Sequence, residues 1–251
     1  MKQISLISLL LFLFISSIKS QEYKVVFIGN SITQGVILEN PQQNSPPAQT
    51  IEWLRANSEG KYEFSNCGVS GRTTTEFLPV SENEFINVKR AADKFYSEGG
   101  QLIFSIMLGT NDSAIKGPVG APLLPQLYYT NMKTIIGELL NLYPNAIVVL
   151  NRAIWYSPNT YNGSMYLKEG LNRLESYYPM LKKIVYEYNI TNPKKVFMGD
   201  EEGFEFFKEK SDLYFAEDGN AGIFYLHPNE KGAKLLADFW GKAILKALNN
   251  R

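Results

Sequence analysis

The chain has 251 residues, 25 of them Lys or Arg and 25 Asp or Glu, with a single histidine and a single cysteine. A formal charge of zero leaves no electrostatic footprint for nucleic acid or for an anionic membrane surface, so neither is expected as a partner. One cysteine, Cys67, excludes an internal disulfide, and one histidine with one cysteine argues against a zinc site; no metal and no cofactor is expected, though carboxylate-only calcium or magnesium sites stay open.

The chain opens on Met1-Lys2, an apolar run over residues 4–15 and a small-residue stretch ending at Ser20. A basic start, a short apolar core and a small residue at the cut site describe a secretory signal peptide, and the run is too short for a membrane span. Cleavage after Ser20 leaves one domain over residues 21–251, secreted or periplasmic, with no membrane insertion once the signal is removed. Export without disulfides suits a bacterial periplasm or surface better than a disulfide-rich scaffold.

Four short apolar runs read as buried strands: residues 23–28 (YKVVFI), 101–107 (QLIFSIM), 146–150 (AIVVL) and 195–198 (KVFM), with 61–65 (KYEFS) as a weaker fifth. Between them, residues 48–56, 84–97, 128–143 and 167–188 carry apolar residues at helical spacing, and a last helix runs from about Pro228 to Leu248. No repeat, low-complexity run or linker divides the chain. Strands alternating with helices predict an α/β domain, a three-layer sandwich whose parallel sheet of about five strands is covered by helices on both faces. Such sheets bind ligands beyond the carboxyl ends of their strands. Ser31, Gly71, Asn111 and His227 all fall in loops after strand-like or C-terminal segments, so one edge can gather them.

Ser31 lies in Gly29-Asn30-Ser31-Ile32-Thr33, directly after the first strand, and His227 in Leu226-His227-Pro228-Asn229. A serine hydroxyl is a poor nucleophile at neutral pH and needs a base that titrates near neutrality, which selects imidazole. If a histidine activates a nucleophile here, it is His227. Each feature alone is ordinary, because lone histidines are more often structural and Gly-Asn-Ser turns occur in many loops. Two further blocks lie between them in order: Asn66-Cys67-Gly68-Val69-Ser70-Gly71-Arg72-Thr73-Thr74, and Leu108-Gly109-Thr110-Asn111-Asp112.

These four blocks in this order resemble the SGNH (GDSL-type) hydrolases, and the resemblance runs from Ile28 to the C-terminal helix. Asn30 stands where that family usually has aspartate. The resemblance implies that Ser31 is the nucleophile and His227 the base. It also implies an oxyanion hole made of the backbone N–H of Ser31, the backbone N–H of Gly71 and the side-chain amide of Asn111. Gly68 is the competing glycine, and Asp112 is expected to brace its own block. The family normally carries an aspartate three residues before the histidine; here that residue is Phe224. The preferred expectation is a Ser–His dyad whose imidazole is oriented by a backbone carbonyl. The alternative is that Asp218 or Glu217 loops back into the acid's place.

The resemblance further implies a carboxylic ester hydrolase. Exported members commonly remove O-acetyl groups from carbohydrates, and the ending over residues 224–229 (FYLHPN) most resembles bacterial sialate O-acetylesterase-like members. The expected activity is thus deacetylation of an acetylated carbohydrate, with O-acetylated sialic acid as one candidate, through a Ser–His acyl-enzyme mechanism. Residues 155–162 (WYSPNTYN) offer three aromatics with amide side chains to a sugar ring, or else anchor a long loop in the core. A lipase or thioesterase would need an acyl trough, for which residues 121–125 (APLLP) are the candidate. A non-catalytic glycan-binding module is the alternative from another class.

Overall fold

The computed structural model describes residues 21–82 and 84–251. The expected signal peptide lies outside the described residues. Strand β1 (Glu22–Gly29) is followed by α1 (Ser31–Gln34), α2 (Pro41–Asn44) and α3 (Pro46–Asn57), which lead to β2 (Lys61–Gly68). Then α4 (Glu84–Glu98) leads to β3 (Gln101–Met107), α5 (Pro125–Leu142) to β4 (Ile147–Leu150), and α6 (Leu167–Thr191) to β5 (Val196–Met198). The chain closes with α7 (Gly203–Phe207), a hairpin of β6 (Glu217–Gly219) and β7 (Gly222–Phe224), and α8 (Glu230–Asn249).

The five strands β1–β5 pair in parallel in the order β2-β1-β3-β4-β5, which is the expected sheet with helices around it. The weak fifth strand is real and runs three residues further, to Gly68. A strand covered on both faces buries successive side chains rather than alternate ones, and Val25, Val26, Phe27 and Ile28 are all buried. On one face α3 and α8 pack together, and Trp240 of α8 stacks on Phe27 at 5.9 Å. Gly241 lets α8 close on Trp53, because a Cβ there would sit 2.3 Å from the indole. On the other face Tyr143, at the end of α5, packs on Phe104 at 5.7 Å. Truncating a ring as buried as Trp240 to alanine costs about 3–5 kcal/mol.

What positions the site is the register. Gly29 pairs with Gly68 on one side and with Met107 on the other, so β1, β2 and β3 end flush. The chain steps from β1 to β2 on one side and later to β3 on the other. This reversal opens a crevice beyond the strand ends. The opposite end of β1 carries a buried cation, Lys24, paired with Glu63 and Glu98.

The sequence carries no sign of the β6–β7 hairpin or of the short helices α1, α2 and α7, because strands of three residues and helices of four or five show no readable periodicity.

Candidate active site

Ser31 is the first residue of α1, two residues beyond the end of β1. Asn30 caps the helix: its Oδ1 accepts the backbone N–H of Ile32 at 3.1 Å. An asparagine oxygen caps as well as an aspartate, so the departure at position 30 leaves this turn intact. The helix ends after four residues at Gly35, whose φ of +74° favours glycine. The backbone N–H of Ser31, at the first helical position, has no partner within the helix.

His227 comes to Ser31 from the segment before α8. Its Nε2 lies 2.8 Å from Ser31 Oγ. The segment is held in place by the N–H of Phe215, which donates to the carbonyl of His227 at 3.0 Å. Asn229 caps α8 by accepting the N–H of Gly232 at 3.0 Å.

A carboxylate, not a carbonyl, orients the imidazole. Both carboxylate oxygens of Glu217 lie 3.0 Å from His227 Nδ1, and Oε1 also accepts the backbone N–H of His227 at 3.1 Å. This overturns the preferred expectation of a dyad held by backbone. It also separates the two alternative acids. Glu217 faces the histidine, whereas Asp218, the next residue of β6, is exposed, as alternation along a strand requires.

The register explains how the acid came to be there. Glu217 pairs directly across the hairpin from Phe224, the residue three before the histidine. Directly opposed residues share a face of the ladder. The carboxylate thus stands on the strand beside the one that carries Phe224, while Phe224 itself is buried in the core. With Nδ1–H donating to Glu217, the lone pair of Nε2 faces the serine, which is the tautomer a general base needs.

Gly71 sits in the loop after β2 with φ +78°, and a Cβ built there would meet nothing within 4 Å. Among the described residues no protein acceptor takes its N–H. Gly68 differs on both counts. Its N–H already donates to Asn66 Oδ1 at 2.9 Å, and a Cβ there would fall 2.5 Å from the backbone of Gln34. Gly68 serves the packing of α1 against β2, and Gly71 presents a free donor. The loop is tied to the serine's helix through Ser70 N–H, which donates to Gln34 Oε1 at 2.7 Å. Arg72 anchors it from the other side by bonding Glu84 at 2.9 Å and Glu76 at 2.8 Å. The Glu84 hydrogen bond, with the charge of both carboxylates, outweighs partial burial and raises the pKa of the guanidinium.

Asn111 is buried, and both ends of its amide are occupied. Nδ2 donates to the carbonyl of Arg72 at 2.8 Å, and Oδ1 accepts the hydroxyl of Tyr166 at 2.7 Å. The second Nδ2 hydrogen remains for a ligand. Asp112 is fully buried and accepts both the N–H of Thr74, at 2.9 Å, and its hydroxyl. Desolvation pushes its carboxyl up to about 6 against the pull of those bonds. It braces the β3 loop to the segment after Gly71, as expected of it. Among the described residues no group of three or more His, Cys, Asp or Glu side chains is placed to hold a metal ion.

Two substrate-binding expectations change. Trp155 and Tyr156 are buried: Trp155 packs edge-on against Tyr214, and the Tyr156 hydroxyl bonds Ser113 Oγ at 2.9 Å. That loop's first two aromatics are core anchors, and only Tyr161 is partly exposed. In the suggested trough, Leu123 is fully buried with its carbonyl taken by Tyr177, while Leu124 is 70% exposed. The cavity that does adjoin Ser31 and His227 measures about 10 Å³ and is lined by Ile32, Leu38, Pro46 and Ala233 among others. Tyr166 was not singled out in the sequence. No motif marks it, and only the fold brings it to Asn111.

The model of the GDSL-like lipase/acylhydrolase family matches residues 27–235. Several solved structures share the fold. A carbohydrate acetylesterase from Sinorhizobium meliloti is 16% identical with a TM-score of 0.61, covering 89% of this chain and 99% of that one. A family 3 carbohydrate esterase from Clostridium thermocellum is 16% identical with a TM-score of 0.61, covering 91% and 98%. A lipase/acylhydrolase from Enterococcus faecalis is 16% identical with a TM-score of 0.60, covering 88% and 95%. No curated protein matches the sequence.

Proposed function

This chain belongs to the GDSL-like lipase/acylhydrolase family and is a carboxylic ester hydrolase, and from that premise we propose that it is an exported esterase that removes O-acetyl groups from carbohydrates. The observation that carries the mechanism is the hydrogen-bonded line from Ser31 Oγ through His227 to Glu217.

In this reading Ser31 Oγ attacks the ester carbonyl and passes its proton to His227 Nε2. Glu217 stabilises the imidazolium that forms. Negative charge on the carbonyl oxygen is met by the N–H groups of Ser31 and Gly71 and by Asn111 Nδ2, donors already oriented before reaction. The imidazolium then protonates the departing alcohol. A water, deprotonated by the same imidazole, releases acetate and restores Ser31.

Support for a short acyl group comes from the structural relative named a carbohydrate acetylesterase. Support for a carbohydrate comes from the two structural relatives named as carbohydrate esterases. The finer proposal, O-acetylated sialic acid, rests on the ending over residues 224–229. The test is a panel of acetylated sugars, O-acetylated sialic acids included, beside p-nitrophenyl acetate and octanoate. Preference for octanoate would select the lipase reading. Absence of any hydrolysis would leave only a glycan-binding module. Export predicts a mature N-terminus near Gln21 by mass spectrometry of the native protein; retention of Met1 would refute it.

A further inference from the structure

The amide of Asn111 must present hydrogen, not oxygen, to a developing negative charge. Asparagine offers both at nearly the same place, and a 180° turn of the side chain exchanges them. The carbonyl of Arg72 fixes one Nδ2 hydrogen, and the hydroxyl of Tyr166 holds the opposite end. We infer that Tyr166 is a positioning residue for the oxyanion site, locking the Asn111 amide and strengthening its free N–H as a donor. This rests on the reading of Asn111 as an oxyanion donor. A bond donated to the amide oxygen draws electron density from the nitrogen, so the remaining N–H becomes a better donor; chained hydrogen bonds reinforce each other in this way.

The fold invests in placing that hydroxyl. Tyr166 is buried at the entry to α6, and its ring meets Tyr156 edge-on at 5.4 Å. The N–H groups of Tyr166 and Leu167 both donate to the carbonyl of Thr160, at 3.2 and 3.1 Å. The next residue, Leu167, has φ +52°, a left-handed conformation that a leucine adopts only where its surroundings enforce it. The strained turn swings the chain out of the loop and into α6 with the Tyr166 phenol aimed at Asn111. Burial pushes that phenol up to about 12, so the hydroxyl keeps its proton through any pH at which a neutral imidazole works.

The experiment is steady-state hydrolysis of p-nitrophenyl acetate by the full chain and by Tyr166→Phe, Asn111→Ala and their double variant. Tyr166→Phe should lower kcat roughly 10-fold, the scale of one neutral hydrogen bond, with KM within about two-fold. The double variant should be no slower than Asn111→Ala alone, within about two-fold, because the tyrosine acts only through the amide. A double variant that loses the product of the two single losses would overturn the inference, as would an unchanged kcat in Tyr166→Phe or an effect confined to KM. If Asn111→Ala keeps full kcat, the oxyanion reading fails and takes this inference with it. If Asn111→Ala is slow and Tyr166→Phe is not, this inference fails alone. Tyr156→Phe is the control for general loosening: its hydroxyl touches Ser113, so kcat should stay within about two-fold, and a loss equal to that of Tyr166→Phe would overturn the positioning role. Should Tyr166→Phe fail to fold, Tyr166→His, which retains a ring donor, takes its place in the same cycle, judged by the same non-additivity.

Discussion

The loops that follow β2 and β3 and the segment that carries His227 meet at the same serine, but they are built differently. The first two leave the ends of main-sheet strands in flush register and are cross-tied by hydrogen bonds, Thr74 to Asp112 and Asn111 to Arg72. The histidine and its acid stand outside the main sheet, on a two-stranded hairpin and the stretch before α8. On the first side each residue is tied to a backbone geometry that only its own position supplies. On the second, what matters is where a carboxylate ends up, and a hairpin can deliver it from either strand. That is why a carboxylate reaches the histidine from position 217 although position 224 carries phenylalanine.

The largest effects should come from breaking the line that joins the two sides. Ser31→Ala and His227→Ala should each lower kcat by roughly 10⁶-fold with the fold kept, as when one member of a catalytic unit is removed. Covalent labelling of any residue but Ser31 by a fluorophosphonate would refute the first assignment. Next comes the hairpin side: Glu217→Gln should cost about 10⁴-fold in kcat, the loss seen when a triad acid becomes an amide. Asp218→Asn, one residue along and exposed, should change kcat less than about two-fold by the same logic. Equal effects from the two would break the account of the register.

On the strand-end side, Asn111→Ala should cost roughly 10²–10³-fold in kcat with little change in KM, because the donor acts on charge that develops in the transition state. A change in KM alone would mean that the amide only shapes the loop.

Asp112, whose work is structural, should show its effect in stability and not in rate. Its carboxyl titrates near 6 in the folded protein against an ordinary value of 3.8, because burial disfavours the charge. The folded state therefore holds that proton more tightly than the unfolded chain does. Its contribution to stability is greatest at low pH and is lost as pH rises from about 4 to 6. Asp112→Asn should keep the oxygen that Thr74 uses and remove this loss. Stability at pH 7 should then hold or rise by on the order of 1–3 kcal/mol, with a flatter dependence of Tm on pH between 4 and 6. A steep fall in kcat at unchanged stability would instead place Asp112 in the chemistry.

The sequence by itself determined the parallel α/β sheet, the serine at the end of β1 and the histidine that faces it. Each is written locally: an apolar run of strand length, a capped turn that begins with Asn30, and a lone imidazole with no competitor. The resemblance to the SGNH hydrolases, not local pattern, singled out Gly71 over Gly68 and gave Asp112 its bracing role. Only the tertiary structure decided between Glu217, Asp218 and a backbone carbonyl, because that choice depends on the pairing of Glu217 with Phe224 across a hairpin too short to show a period. Only the tertiary structure turned Trp155 and Tyr156 into core anchors, and only it brought Tyr166 to Asn111 across 55 positions of chain. Pattern reports what a residue does to its own backbone. Which side chains meet is set by how whole elements pack, and no window of sequence contains that.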